Sequence, residues 1–222
     1  MPEKKERSMK IYIIRHGETS ANVAGVFQGR LDTELLESGL ALASSVGQAL
    51  FGVRFDAAFA SPLTRSQITA RALLDASGNA DVPIEIDERL YEISVGQCEG
   101  KHFRPGECEV DEKYLHGYFD DPLHFDGFPE GESTREVCAR TQDFLRELAQ
   151  KDYESVLVST HGFALRAMLN MVYDDPSDFW HGGVPLNCSV SIVDAHDGCF
   201  DLIGDDVVFY DQSQVSDWFS EH

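Results

Sequence analysis

The sequence predicts an α/β protein in three layers, with a mostly parallel central sheet covered by helices on both faces. Three observations carry this reading. Short apolar runs at residues 10–15, 56–60, 82–86 and 155–160 read as strands buried on both sides. Stretches with helical apolar periodicity separate them, as the crossovers of a parallel sheet require. Late in the chain, Asp197-Gly198 stands between two further apolar runs, the pattern of a tight hairpin.

The elements follow in order. Lys10 to Arg15 is a short Ile-rich strand. A polar, glycine-punctuated loop runs on through Gln28-Gly29-Arg30-Leu31-Asp32. A helix is expected over 38–51, with Ser38 as N-cap and Leu40, Leu42, Val46, Ala49 and Leu50 as its apolar stripe. Asp56 to Ala60 is the second strand. Ser61-Pro62 opens the next helix, with Pro62 at its first position, and Ser77-Gly78-Asn79 stops it. Val82 to Ile86 is the third strand. Leu90 to Glu132 is irregular and rich in Gly, Pro and aromatic residues, and predicts an excursion from the sheet with one helix near residues 110–119. Thr134 to Lys151 is an amphipathic helix carrying Val137, Phe144, Leu145 and Leu148. Ser155 to Thr160 is the fourth strand and Phe163 to Tyr173 a helix. Cys188 to Asp194 and Cys199 to Ile203 form the final hairpin. No repeat or linker interrupts the 222 residues, so a single domain spans 1–222, with residues 1–8 a flexible extension.

Composition narrows the function. The net charge of −21 argues against nucleic acid and against anionic membrane surfaces, and no apolar run is long enough to span a bilayer. Beyond Arg166 there is no Lys or Arg, so an anion site must take its cations from earlier in the chain. The five cysteines form no C-x-x-C pair, which fits reduced thiols in a cytoplasmic protein, and no clustered Cys/His spacing suggests a metal. No leader-like apolar segment follows the basic start. The phosphate-loop, nucleophile-elbow and dinucleotide-binding patterns are absent, so no cofactor is expected.

The chemistry-bearing residues lie at strand ends. The first strand runs into Arg15-His16-Gly17-Glu18-Thr19. The fourth, Val156-Leu157-Val158-Ser159-Thr160, runs into His161-Gly162. Arg15 matches a phosphate or carboxylate, His16 is a nucleophile or proton carrier near neutral pH, and Gly17 permits close approach of a backbone or ligand. In open parallel sheets ligands bind beyond the carboxyl ends of the strands, so these junctions and Ser61 to Arg65 should converge. Singly, each has a plainer reading: Arg15 as a surface ion-pair partner, His161 as a core imidazole. Together, at converging strand ends, they read as one functional site able to take an anion such as a phosphate or carboxylate.

Four segments carry a resemblance. Arg15 to Thr19 with Asn22, Ser61 to Ala70, Leu90 to Gly100, and Ser159 to Gly162 are together similar to the motifs of the histidine phosphatase superfamily, the phosphoglycerate-mutase-like proteins. Gln28 to Asp32 and Gly131 to Ser133 match lesser landmarks. The resemblance extends from about Lys10 to the final hairpin and implies the phosphoglycerate-mutase-like fold, with residues 97–132 passing over the active site. It implies that His16 attacks phosphorus and becomes a phosphohistidine, with Glu92 as general acid and base. Arg15, Arg65 and His161 would surround the phosphoryl oxygens as two guanidiniums and an imidazolium, with Asn22 a further donor. Only the motif register selects Glu92 over Glu88 and Glu99. Gln28 and Gly29 are candidate substrate contacts. Lys101 and Arg104 could meet a second charged group on a substrate, or simply belong to a solvated loop. The segment Gly96-Gln97-Cys98-Glu99-Gly100 is similar to the phosphatase branch, and the acidic end of the chain departs from the basic tail of the glycolytic mutases. The expectation is a metal-independent phosphomonoesterase acting on a small phosphorylated substrate. A bisphosphoglycerate-dependent mutase is the alternative, and an inactive phospholigand-binding module the third reading. Oligomeric state is left open.

Overall fold

A computed structural model describes residues 8–211. Its sheet has six strands in the order β3-β2-β4-β1-β5-β6: β1 (Ser8–Arg15), β2 (Ala57–Ala60), β3 (Ile84–Ile86), β4 (Ser155–Thr160), β5 (Val190–His196) and β6 (Cys199–Val207). The first four are mutually parallel, and β5 and β6 add an antiparallel edge beside β1. The expected α/β fold is therefore the observed one, with the hairpin joined to the sheet. Asp197 and Gly198 both have positive φ (47° and 82°), as a two-residue hairpin turn of this twist demands.

Alternation along β1 separates the two faces. Ile11 and Ile13 face a core completed by Phe144, Leu145 and Leu148 of α5 (Thr134–Leu148) and by Leu165, Met168 and Leu169 of α6 (Gly162–Leu169). Tyr12 and Ile14 face the other way, onto Leu42 and Val46 of α2 (Glu37–Ala49) and Leu73 and Leu74 of α3 (Thr64–Ser77). Each fully buried side chain of this size contributes roughly 2 kcal/mol by leaving water. A third core gathers Phe27, Ile93, Val95, Phe125 and Phe128 around Phe163, Ala164 and Ala167 of α6. It anchors the excursion, whose helix α4 (Glu112–Phe119) begins two residues later than expected.

Several element ends differ from the sequence reading. Leu36, not Ser38, is the N-cap of α2, and the Ser38 hydroxyl instead donates to Glu18 Oε2 at 2.6 Å. Pro62 precedes Leu63, the N-cap of α3, so it lies outside the helix; a carboxylate from another loop, Asp32, accepts the Thr64 N–H at 3.0 Å. The third strand begins only at Ile84, after Pro83, whose ring nitrogen has no hydrogen to offer. The loop after β1 contains a short helix, α1 (Ser20–Ala24), closed at its start by a capping box between Thr19 and Asn22. Of the expected extension, Ser8 opens β1 and the rest lies outside the described residues.

Candidate active site

The parallel strands deliver their junction residues to one place. Arg15 ends β1 and His16 follows it; Ser61 follows β2, with Arg65 in the first turn of α3; His161 follows β4 and is the N-cap of α6. All are buried: Arg65, His161 and Ser61 show no exposed surface, and His16 shows 2%. The His16 and His161 rings lie with centroids 5.1 Å apart. Gly17 allows this crowding, because a Cβ there would stand 2.6 Å from the carbonyl oxygen of Gly39 in α2. The close approach is thus to backbone.

The hydrogen-bond network assigns the tautomer of His16. His16 Nδ1 lies 2.8 Å from Gly17 O, which can only accept, so Nδ1 carries the proton and Nε2 keeps its lone pair. Ser61 Oγ accepts from Leu63 N at 3.3 Å and lies 2.8 Å from His161 Nε2. In the tautomer where the serine hydroxyl donates to Nε2, the His161 Nδ1–H is left as a donor. Burial, then Arg65 and Arg15, hold the His16 pKa well below its ordinary value. Burial, then Arg65, does the same for His161. Burial beside the two arginines thus disfavours the imidazolium expected at His161.

Arg65 Nη1 donates to Leu31 O at 2.7 Å and Nη2 to Gln28 O at 3.0 Å and Gly29 O at 3.1 Å. Burial lowers its pKa to about 10, against the opposing charges of Glu92, Asp32 and Glu99. Arg15 Nη1 donates to Pro185 O. Within the site, the buried nitrogens Arg15 Nε, Arg65 Nε and His161 Nδ1 have no hydrogen-bond partner among the described residues. Buried donors are nearly always satisfied in folded proteins, so such a group beside a free imidazole lone pair has the character of an anion site.

Glu92 lies at the N-terminus of α6. Its Oε1 accepts from Ile93 N and Ala164 N, both at 2.9 Å, and Oε2 from Phe163 N at 3.1 Å. These bonds and the charge of Arg65 favour the carboxylate, but burial outweighs them and raises the pKa. The competing carboxylates are elsewhere: Glu88 is exposed, and Glu99 clasps the backbone amides of Gly29, Arg30 and Leu31.

A cleft opens over His16, lined by Arg15, Asn22, Gln28, Gly29 and Glu92 together with apolar residues of α6 and the excursion. Asn22 is both cap and neighbour: its Oδ1 accepts from Thr19 N at 3.1 Å and from Asn187 Nδ2 at 3.3 Å. Gln28 accepts from the Thr19 hydroxyl at 3.0 Å. At Gly29 a Cβ would overlap the Ile93 carbonyl. Lys101 and Arg104 do not line the cleft, and Arg104 donates to Asn22 O at 2.8 Å and Val23 O at 2.9 Å at the end of α1. The sequence reading also missed residues that hold the site from a distance. Asn187 Nδ2 donates to His16 O at 2.9 Å. Arg140 on α5 donates to the carbonyls of Arg89, Tyr91 and Glu92 and pairs with Glu132. Tyr118, on the cleft wall, has its phenol pKa held well above the usual range by burial and by Glu92.

The chain is similar to known proteins over most of its length. The family model of the histidine phosphatase superfamily, branch 1, matches residues 11–204. The adenosylcobalamin/alpha-ribazole phosphatase of Escherichia coli is 31% identical over 183 residues, covering 81% of this chain and 87% of that protein. A 2,3-bisphosphoglycerate-dependent phosphoglycerate mutase of Methylobacterium is 34% identical over 191 residues, covering 82% and 89%. Among solved structures, YhfR of Bacillus stearothermophilus superposes with a TM-score of 0.81 at 30% identity, covering 90% of this chain and 98% of that one.

Proposed function

The chain belongs to the histidine phosphatase superfamily, and from that premise we propose that it hydrolyses phosphomonoesters through a phosphohistidine on His16, without a metal. The observation that carries the reading is the set of three partnerless buried donors, Arg15 Nε, Arg65 Nε and His161 Nδ1, around an imidazole whose Nε2 is free. His16 Nε2 attacks phosphorus while the bond to the ester oxygen breaks. Glu92 gives its proton to that oxygen, because an alkoxide is a poor leaving group. The one oxygen position not already used for two backbone N–H bonds is on Oε2, which is where the proton belongs. Water then attacks the phosphohistidine, Glu92 takes its proton, and the P–N bond breaks to release phosphate. Throughout, the donors stabilise charge on the phosphoryl oxygens, the principal demand of a loose phosphoryl-transfer transition state.

The mutase reading has the named relative from Methylobacterium in its favour. Against it, the cleft offers no cation beyond the phosphoryl end among the described residues. The deciding experiment is phosphate release from p-nitrophenyl phosphate and a panel of phosphorylated metabolites, without added metal, beside His16→Ala. Turnover lost in the variant supports the proposal. Interconversion of phosphoglycerates without net phosphate release would favour the mutase. Silence in both assays would leave a binding module.

A further inference from the structure

The walls of the cleft specify what the phosphoryl group is attached to. Beyond Arg15, His16 and Glu92, the lining consists of Asn22, Gln28, Gly29 and Gly162 and nine side chains that are aliphatic or aromatic. Four of the rings form one connected surface: Phe27 lies 4.8 Å from Phe103 and 5.5 Å from Tyr118, and Tyr118 lies 5.1 Å from Phe163. Aromatic surfaces of this kind gain from a further ring placed edge-on or offset against them.

The nearby cations are turned to other work. Arg104 is engaged with the carbonyls at the end of α1, and Lys101 lies outside the lining. Arg30 pairs with Glu132 at 3.0 Å and lies over the Tyr91 ring at 4.0 Å. The helix that brings Tyr118 and Phe119 to the cleft is flanked by Asp111 and Asp120. A second anionic group on the substrate would lose its water without gaining a counter-charge, and buried charges without partners are strongly disfavoured.

We propose that the phosphomonoesters this site takes carry an uncharged aromatic or bulky apolar alcohol, seated against the surface formed by Phe27, Phe103, Tyr118 and Phe163, rather than a carboxylate or a second phosphate. This rests on the phosphatase reading, and the test separates the two. Three primary alkyl esters with closely matched leaving-group basicity are compared: 3-phenylpropyl phosphate, propyl phosphate and 4-phosphooxybutanoate. The expected order of kcat/KM is phenylpropyl above propyl by roughly tenfold or more, with the butanoate lowest. Phe103→Ala should narrow the phenylpropyl-to-propyl ratio. A phenylpropyl ester no better than propyl, or a butanoate turned over as well as phenylpropyl, overturns the proposal. If neither these esters nor p-nitrophenyl phosphate is hydrolysed, the phosphatase reading fails. The same three esters titrated calorimetrically into the intact protein then decide the class: tightest binding of the phenylpropyl ester upholds it, and equal or tighter binding of the butanoate overturns it.

Discussion

Glu92 accepts from three backbone amides, an arrangement that ordinarily favours the ionised carboxylate, yet burial raises its pKa. A group so placed retains its proton above the usual carboxyl range, as a general acid must. His16 is shifted the opposite way, toward the neutral form that the proposed nucleophile requires. The pair of shifts fixes the form of the pH profile. On the proposed mechanism, the acid limb of kcat/KM is expected from His16, below pH 6.5, and the alkaline limb from Glu92, above 4.5. Glu92→Gln should therefore abolish the alkaline limb. It should cost about 100-fold or more on alkyl phosphates but much less on p-nitrophenyl phosphate, whose phenolate leaves without a proton. An equal loss on both esters would remove Glu92 from the acid role. The same histidine shift bears on stability. Between pH 6.5 and the depressed folded value, the unfolded chain binds the proton that His16 in the folded chain refuses, so stability is lost as pH falls through that window. Urea midpoints measured from pH 7 to pH 5 should fall more steeply for the native protein than for His16→Gln.

Secondary-structure elements hold these residues through contacts that sequence periodicity does not encode. Helix α5 begins with a capping box at Ser133 and Glu136, and its Arg140 fastens the carbonyls of Arg89, Tyr91 and Glu92. The two features differ in what their loss should do. Ser133→Ala removes a cap and should lower stability by about 1 kcal/mol, leaving the pH profile of turnover in place. Arg140→Ala releases the segment that carries Glu92, and should lower kcat and move the alkaline limb. An unchanged limb in Arg140→Ala would show that the arginine merely packs. The strand-to-histidine junctions were legible because an apolar run ending in Arg15-His16-Gly17, and again in His161-Gly162, combines a local pattern with a motif. The strands and principal helices were legible for the same local reason. What was not legible depends on partners far along the chain: Asp32 capping α3, Glu99 clasping residues 29–31, Asn187 meeting His16, and Ser38 turning to Glu18. The downward shift of the His161 pKa was not legible either, because it follows from burial beside two arginines and not from its neighbours in sequence.

At the scale of the whole molecule, two electrostatic fields oppose each other. The chain carries a net charge of −21 and has no Lys or Arg after Arg166, so a phosphomonoester dianion approaches a repulsive surface. Inside the cleft the balance reverses, since Arg15 and Arg65 are buried beside His16, where solvent screens them little. Mobile ions act unequally on the two fields. At physiological ionic strength the Debye length is about 8 Å, so the diffuse surface charge is largely damped while the buried guanidiniums keep their short-range attraction. Raising salt from low to moderate concentration should then leave kcat/KM for a dianionic substrate level or increase it, with KM carrying the change and kcat constant. A substrate steered by an exposed positive funnel would show the reverse, a steep fall with salt. Measuring kcat/KM for one alkyl phosphate across a series of sodium chloride concentrations distinguishes these cases. A steep fall would mean that the field of Arg15 and Arg65 reaches past the mouth of the cleft and dominates the approach in spite of the acidic surface.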